Sequence, residues 1–190
     1  MENRIEEIKN ESNSYLSFRI GDEVFAAHVA HITNIVEVPK ITKIPRSPEY
    51  MLGVMNLRGT VLPVIDTRIK FGMPAIEVTT NTCILVIDFT VDEEVFHAGI
   101  MVDGVREVLE INKAQIMDPP NSGEIKVSEF IYGIVNIDDH LIMLLDINLI
   151  LNYKEIADMQ KQISSIKKKV KETENEKEIK TEKEKKVEAQ

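Results

Sequence analysis

The chain has 190 residues, 43% of them apolar, with no Trp, a single cysteine and a net charge of −9. That length allows one ordinary domain or two small packed units with a tail. No stretch reaches the ~20 apolar residues of a membrane span, the charged start Met-Glu-Asn-Arg-Ile-Glu-Glu-Ile is unlike a signal peptide, and a lone Cys83 suits a reducing cytosol.

Residues 1–13 read as a polar leader. From there the pattern is one of short strands. Tyr15–Ile20 alternates, Gly21-Asp22-Glu23 turns, and Val24–Ala27 returns as a hairpin partner. Residues 29–38 begin as a helical turn or a strand, since their spacing fits both, and end as a strand. Pro39, Pro45 and Pro48 mark an irregular connection. Met51–Leu57 and Thr60–Ile65 form two strands joined at Arg58-Gly59, where glycine accepts a positive φ at little cost. Thr67–Phe71 reads as a short helix closed by Gly72, 73–81 as a loop, and Thr82–Phe89 as a strand with Cys83 in the core.

The pattern then repeats. Val95–Ile100 resembles Val24–Val29, and Val102–Val108 parallels Ala30–Val36. After the loop at 118–123, Gly53, Asn56 and Asp66 recur as Gly133, Asn136 and Asp146, with Glu49 matched by Glu129. One duplication indicates two related β-units rather than a solenoid. Two five-stranded barrels of similar topology, sharing an apolar seam, are the simplest mainly β architecture that explains it. The copies differ most at Arg58-Gly59, which becomes Asp138-Asp139. Beyond Tyr153, Ile156, Met159, Ile163, Ile166 and Val170 make a helical stripe over 153–170. Residues 171–190 then mix Lys and Glu with little to bury, as a solvated helix or a disordered tail.

Catalytic patterns are absent from this sequence. His28 and His31 stand three apart without a third ligand nearby, so a metal site is not expected. Cys83 lacks a basic sequence neighbour to activate it. Asp66 and Asp146 follow the same hydrophobic strand in each copy and are expected to cap the next helix rather than to act as an acid–base pair. No phosphate loop, nucleophile elbow or HExxH occurs. Residues 154–190 carry 11 Lys against 9 acidic residues, so the preceding body is at −11. An acidic, aromatic-poor body argues against the runner-up reading, a small-barrel nucleic-acid binder. Arg58 replaces the aspartate of the other copy, so the turn itself does not require a cation, and it is a candidate anchor for a partner.

Asn56-Leu57-Arg58-Gly59-Thr60-Val61-Leu62-Pro63-Val64-Ile65-Asp66-Thr67-Arg68, followed by Val102-Asp103-Gly104-Val105-Arg106-Glu107-Val108-Leu109, resembles the CheW-like family of bacterial chemotaxis coupling proteins over about residues 14–152. The resemblance implies two SH3-like five-stranded barrels. It also implies a non-enzymatic adaptor without a cofactor, joining the cytoplasmic tips of chemoreceptors to the histidine kinase CheA at membrane-anchored arrays. It places Arg58 in receptor coupling and Ile32, Asn34, Ile35 and Val36 of the first unit, with Val102 and Val105 of the second, along a receptor groove. At Asn34 the family often has glutamate. Residues contacting the kinase are not assigned. A kinase or a receiver-bearing relative would need domains for which the stretch after Tyr153 is too short.

Overall fold

Ten strands account for most of the residues described in the computed structural model, which are 13–75, 78–91, 94–119, 129–151, 154–159, 161 and 164. They are β1 (Ser14–Ile20), β2 (Glu23–His28), β3 (Ile32–Glu37), β4 (Met51–Leu57), β5 (Thr60–Asp66), β6 (Cys83–Val91), β7 (Glu94–Val102), β8 (Gly104–Glu110), β9 (Ile131–Ile137) and β10 (His140–Leu145). One four-residue helix follows the long motif in each copy, α1 (Thr67–Lys70) in the first and α2 (Ile147–Ile150) in the second. Residues 29–31 make a 3₁₀ turn before β3. The polar leader and the Lys/Glu tail lie outside the described residues, as do Ile163, Ile166 and Val170 of the C-terminal stripe. Residues 154–159 are helical and belong to a separate unit that begins at Tyr153.

The strands form two five-stranded sheets, ordered β8-β1-β2-β10-β9 and β3-β6-β7-β5-β4. Adding or subtracting five from each strand number converts one order into the other, so the duplication governs topology as well as sequence. Each sheet nevertheless draws on both copies. The first hairpin, β1–β2, pairs with β8 on one side and runs parallel to β10 on the other. The second, β6–β7, pairs in the same way with β3 and β5. The two units expected from the repeat have therefore exchanged strands. β3 and β8 leave the hairpins that precede them because short crossovers, residues 29–31 and Asp103, carry the chain to the other sheet.

Closure of each sheet depends on one glycine. Thr42 bridges Val54, and Met117 bridges Ile134, joining the segment after each third strand to the fourth. Gly53 adopts φ +144°, and a Cβ there would overlap the Thr42 carbonyl oxygen. At Gly133 a Cβ would overlap the Ile116 Cγ2 methyl and lie 3.5 Å from the Met117 carbonyl oxygen. Glycine permits the close backbone approach at both bridges.

The interior of one sheet is Ala26, Ile111, Val135, Ile142 and Leu144. That of the other is Met55, Leu62, Val64, Ile84 and Val86. Aliphatic alternation along the strands supplies both, at roughly 25 cal/mol for each Å² of apolar surface removed from water. Between the sheets, Phe71 stands with its ring centroid 5.7 Å from that of Phe25 and 5.3 Å from that of Phe130. Phe71 follows α1, whereas Phe25 lies on β2 and Phe130 immediately precedes β9 of the other sheet, so this aromatic insertion forms part of the shared seam.

Candidate functional site

Asp66 and Asp146 hold the ends of the long motifs. The Asp66 carboxylate accepts from the Arg68 and Ile69 N–H groups, and Asp146 accepts from the Asn148 N–H. These are helix N-caps, in which a short acidic side chain satisfies amides that lack a partner inside the helix. The backbone repeats as well. Asp66 N–H donates to the Tyr50 carbonyl at 2.7 Å, and Asp146 N–H to the Phe130 carbonyl at 2.8 Å.

Two residues on from each cap, the halves diverge. Arg68 Nε lies 2.8 Å from both Asp103 carboxylate oxygens, and its Nη2 also reaches Asp103 Oδ2. The same carboxylate accepts from Gly21 N–H at 2.6 Å, and Asp103 N–H donates to the Arg19 carbonyl at 2.9 Å. This bidentate, charge-assisted set ties α1 and the β7–β8 crossover to the β1–β2 turn, spanning both sheets. In the other half, Asn148 Oδ1 accepts from Thr90 N–H at 2.9 Å. The sequence motifs contain Arg68 and Asp103, but their partnership crosses 35 positions and no local pattern announces it.

Arg58 occupies the first of two positive-φ residues in the β4–β5 turn, with φ 50° followed by Gly59 at 87°. The Asn56 side chain accepts from Gly59 N–H at 2.8 Å and stiffens the turn. The guanidinium is exposed and has no ion pair among the described residues. Asp138 and Asp139 repeat the conformation at φ 50° and 62°.

The remaining predicted groove residues fall along β3 and around the β7–β8 crossover. Ile35 is exposed at 49%, while Ile32, Asn34 and Val36 are partly buried. Val36 lies at the end of its sheet where Cys83 pairs with Val102 and neighbours Glu37, and Val105, on β8 of the other sheet, reaches the same place through a backbone hydrogen bond with Cys83. Val102 is only 2% exposed, so it underlies this region and cannot form an accessible wall. Arg58 is not brought to that end. β5 and β7 are parallel, with Val64 opposite Gly99, which places the turn before Thr60 toward the start of β7 and Val102 at its finish. At about 3.3 Å per residue the two ends stand on the order of 20 Å apart. Ile32 pairs with Ile87, itself opposite Ala98, so β3 runs from mid-sheet toward the Cys83 end. The candidate surface is thus extended rather than a single pocket.

Cys83 is half-buried rather than in the core as its apolar neighbours suggested. It opens β6 at the sheet's end, where alternation cannot decide depth. Burial raises its thiol pKa, against a backbone hydrogen bond involving Val105, so the arrangement does not favour a thiolate nucleophile. His28 and His31 are also partly buried, and His28 Nδ1 accepts from Ala30 N–H at 3.2 Å, which gives this histidine a capping role. Among the described residues no three His, Cys, Asp or Glu side chains gather as metal ligands, and no helix is long and apolar enough to cross a membrane.

Comparison with known proteins accounts for this architecture. The CheW-like domain profile matches residues 14–155, spanning every strand of both sheets. The chain belongs to the CheW-like domain family. It is similar to the chemotaxis protein CheW of Klebsiella aerogenes, at 31% identity over 75% of this chain and 84% of that protein. The chemotaxis protein CheW of Helicobacter pylori is 34% identical over 77% of this chain and 86% of its own length. Among solved structures, the scaffolding protein TtCheW of Thermoanaerobacter tengcongensis superposes with a TM-score of 0.66 at 28% identity, covering 75% of this chain and 94% of that one. Family membership thus follows from both sequence and fold.

Proposed function

We propose that this protein is a non-enzymatic chemotaxis scaffold that couples the cytoplasmic tips of chemoreceptors to the histidine kinase CheA. Its place of action is then the cytoplasmic side of membrane-anchored receptor arrays. The observation that carries the reading is a family match over the whole two-sheet body in which the Asn56-Leu57-Arg58-Gly59 turn presents an exposed guanidinium with no ion pair among the described residues. A fixed turn lowers the cost of ordering that arginine on a partner, and its planar fork suits bidentate recognition of a carboxylate or carbonyl pair. The β3 strip with exposed Ile35, flanked by Ile32, Asn34 and Val36, and by Val105 over buried Val102, offers a partly apolar surface for a receptor helix. Signalling in this reading passes through binding geometry alone.

A reconstituted assay of receptor fragment, kinase and this protein tests the reading. Arg58→Ala is expected to keep the unfolding midpoint while lowering receptor-coupled kinase activation at least about tenfold, the loss of roughly 1.4 kcal/mol. Activation equal to that of the unaltered protein would remove Arg58 from the role.

A further inference from the structure

β8 does not run evenly along β1. Leu16 stands opposite Val108 and Phe18 opposite Val105, so Arg106 and Glu107 together face the single Ser17. This is a β-bulge, one extra residue in the crossing strand. Its effect on direction follows from the pleat. Leu16 and Phe18 are two apart and share a face of β1, and directly opposed residues of an antiparallel pair lie on the same side. Val105 and Val108 therefore share a face, although residues three apart in a regular strand point to opposite sides. That face looks toward the seam, since Phe18 also stands opposite Phe25, whose ring meets Phe71.

β3 is bulged as well, between Ile32 and Asn34. Ile32 stands opposite Ile87 and Ile35 opposite Leu85, on the side of β6 away from the interior residues Ile84 and Val86. Each sheet thus ends in a bulged edge strand that turns an apolar pair away from its own interior, Ile32 with Ile35 and Val105 with Val108. Ile35 and Val108 are 49% and 57% exposed, so both pairs reach solvent.

A bulge interrupts the ladder and leaves backbone groups to be satisfied in another way. At β3 the Thr33 hydroxyl donates to the Val86 carbonyl at 3.2 Å. At β8 the hydroxyl comes from the partner strand. Ser17 Oγ donates to the Glu107 carbonyl at 2.7 Å and accepts from the Glu107 N–H at 3.1 Å, serving both backbone groups of one bulge residue. Ser17 lies opposite Ala26, on the interior side of its sheet, and is 1% exposed. It is too deep to touch a partner and can act only through β8.

We propose that Ser17 is a positioning residue for receptor binding. Its hydroxyl fixes the Arg106-Glu107 bulge, and the bulge turns Val108 to the side of Val105, where the pair forms one wall for an amphipathic receptor helix. The inference rests on the receptor-coupling reading above and adds to it a buried determinant and the wall residue Val108.

Calorimetric titration of the full chain with a receptor cytoplasmic fragment, and separately with CheA, tests this. Ser17→Ala should weaken receptor binding at least about tenfold while kinase binding stays within about twofold. Ser17→Thr keeps the hydroxyl and should keep receptor affinity. Amide hydrogen exchange should quicken at Glu107 in Ser17→Ala and stay slow in Ser17→Thr. Val108→Lys alters an exposed position without touching the bulge, and should also weaken receptor binding about tenfold with an unchanged unfolding midpoint. Equal losses toward receptor and kinase in Ser17→Ala would show a general structural role and overturn the inference. So would equal losses in the Ala and Thr variants, or unchanged receptor binding in Val108→Lys. Failure of the unaltered protein to bind the receptor fragment would instead overturn the coupling reading, and this inference with it.

Discussion

Arg68 and Asn148 sit two residues beyond equivalent aspartate caps, yet they fasten their helices by different chemistry. Arg68 uses a largely buried charge pair with Asp103 that also engages the β1–β2 turn, and Asn148 uses one neutral hydrogen bond to the edge of the β6–β7 hairpin. Both links run from a helix after the long motif to a hairpin of the other sheet, directly for Asn148 and by way of Asp103 for Arg68. The fold therefore demands a tie at this place but not a particular charge. What differs is the cost of losing it, since a carboxylate stripped of its partner in a shielded site is penalised far more than an amide.

Removing each tie tests that difference most strongly. Arg68→Ala should cost about 3 kcal/mol in urea unfolding, against about 1 kcal/mol for Asn148→Ala. Equal losses would show that the Arg68 pair is solvated enough to matter little. A somewhat smaller contrast is expected at the closure glycines. Gly53→Ala places a methyl against the rigid Thr42 carbonyl at positive φ and should cost about 2–3 kcal/mol. Gly133→Ala meets the movable Ile116 side chain and should cost about 1 kcal/mol, provided that Ile116 can change rotamer. A reversed order in the unfolding midpoints would contradict the argument from close approach.

The hairpin turns give the smallest effect. Asp139 holds φ 62° where the first copy has glycine, so Asp139→Gly should be neutral or stabilising by up to about 0.5 kcal/mol, and Gly59→Asp destabilising by a similar amount. Both values are readable from paired unfolding curves, and a clear loss of stability in Asp139→Gly would mean that the aspartate makes a contact which offsets its backbone cost. Cys83 has no counterpart in this symmetry and offers a pH test. Its folded thiol pKa is raised by burial above its unfolded value near 9, so below that unfolded value the thiol is protonated in both states and costs nothing. As pH rises through and beyond it, the unfolded chain loses the proton first and stability falls. Cys83→Ser should remove that part of the alkaline slope, and an unchanged slope would assign it to other groups.

Much of this was legible because the signals were local. Alternation marked the strands, Arg58-Gly59 marked a turn, and the aspartates at 66 and 146 announced caps through their position before short helices. The spacing of 29–38 left the beginning of that segment open, and the structure resolves it as a 3₁₀ turn followed by β3. Cys83 and Val102 were placed less well, the first too deep and the second too near the surface. Each sits at the end of a strand, where crossovers and the neighbouring sheet set exposure and periodicity does not.

Sequence by itself determined the duplication, the hairpins, the turn chemistry and the membership of the chain in its family, since each depends on residues close together or on a motif kept in order. Only the tertiary structure decided that β3 and β8 change sheets and that Arg68 finds Asp103. Those outcomes rest on which distant strand edges and side chains meet in space. Backbone hydrogen bonds are the same for any pair of strands, so the choice among edges is made by packing across the whole molecule.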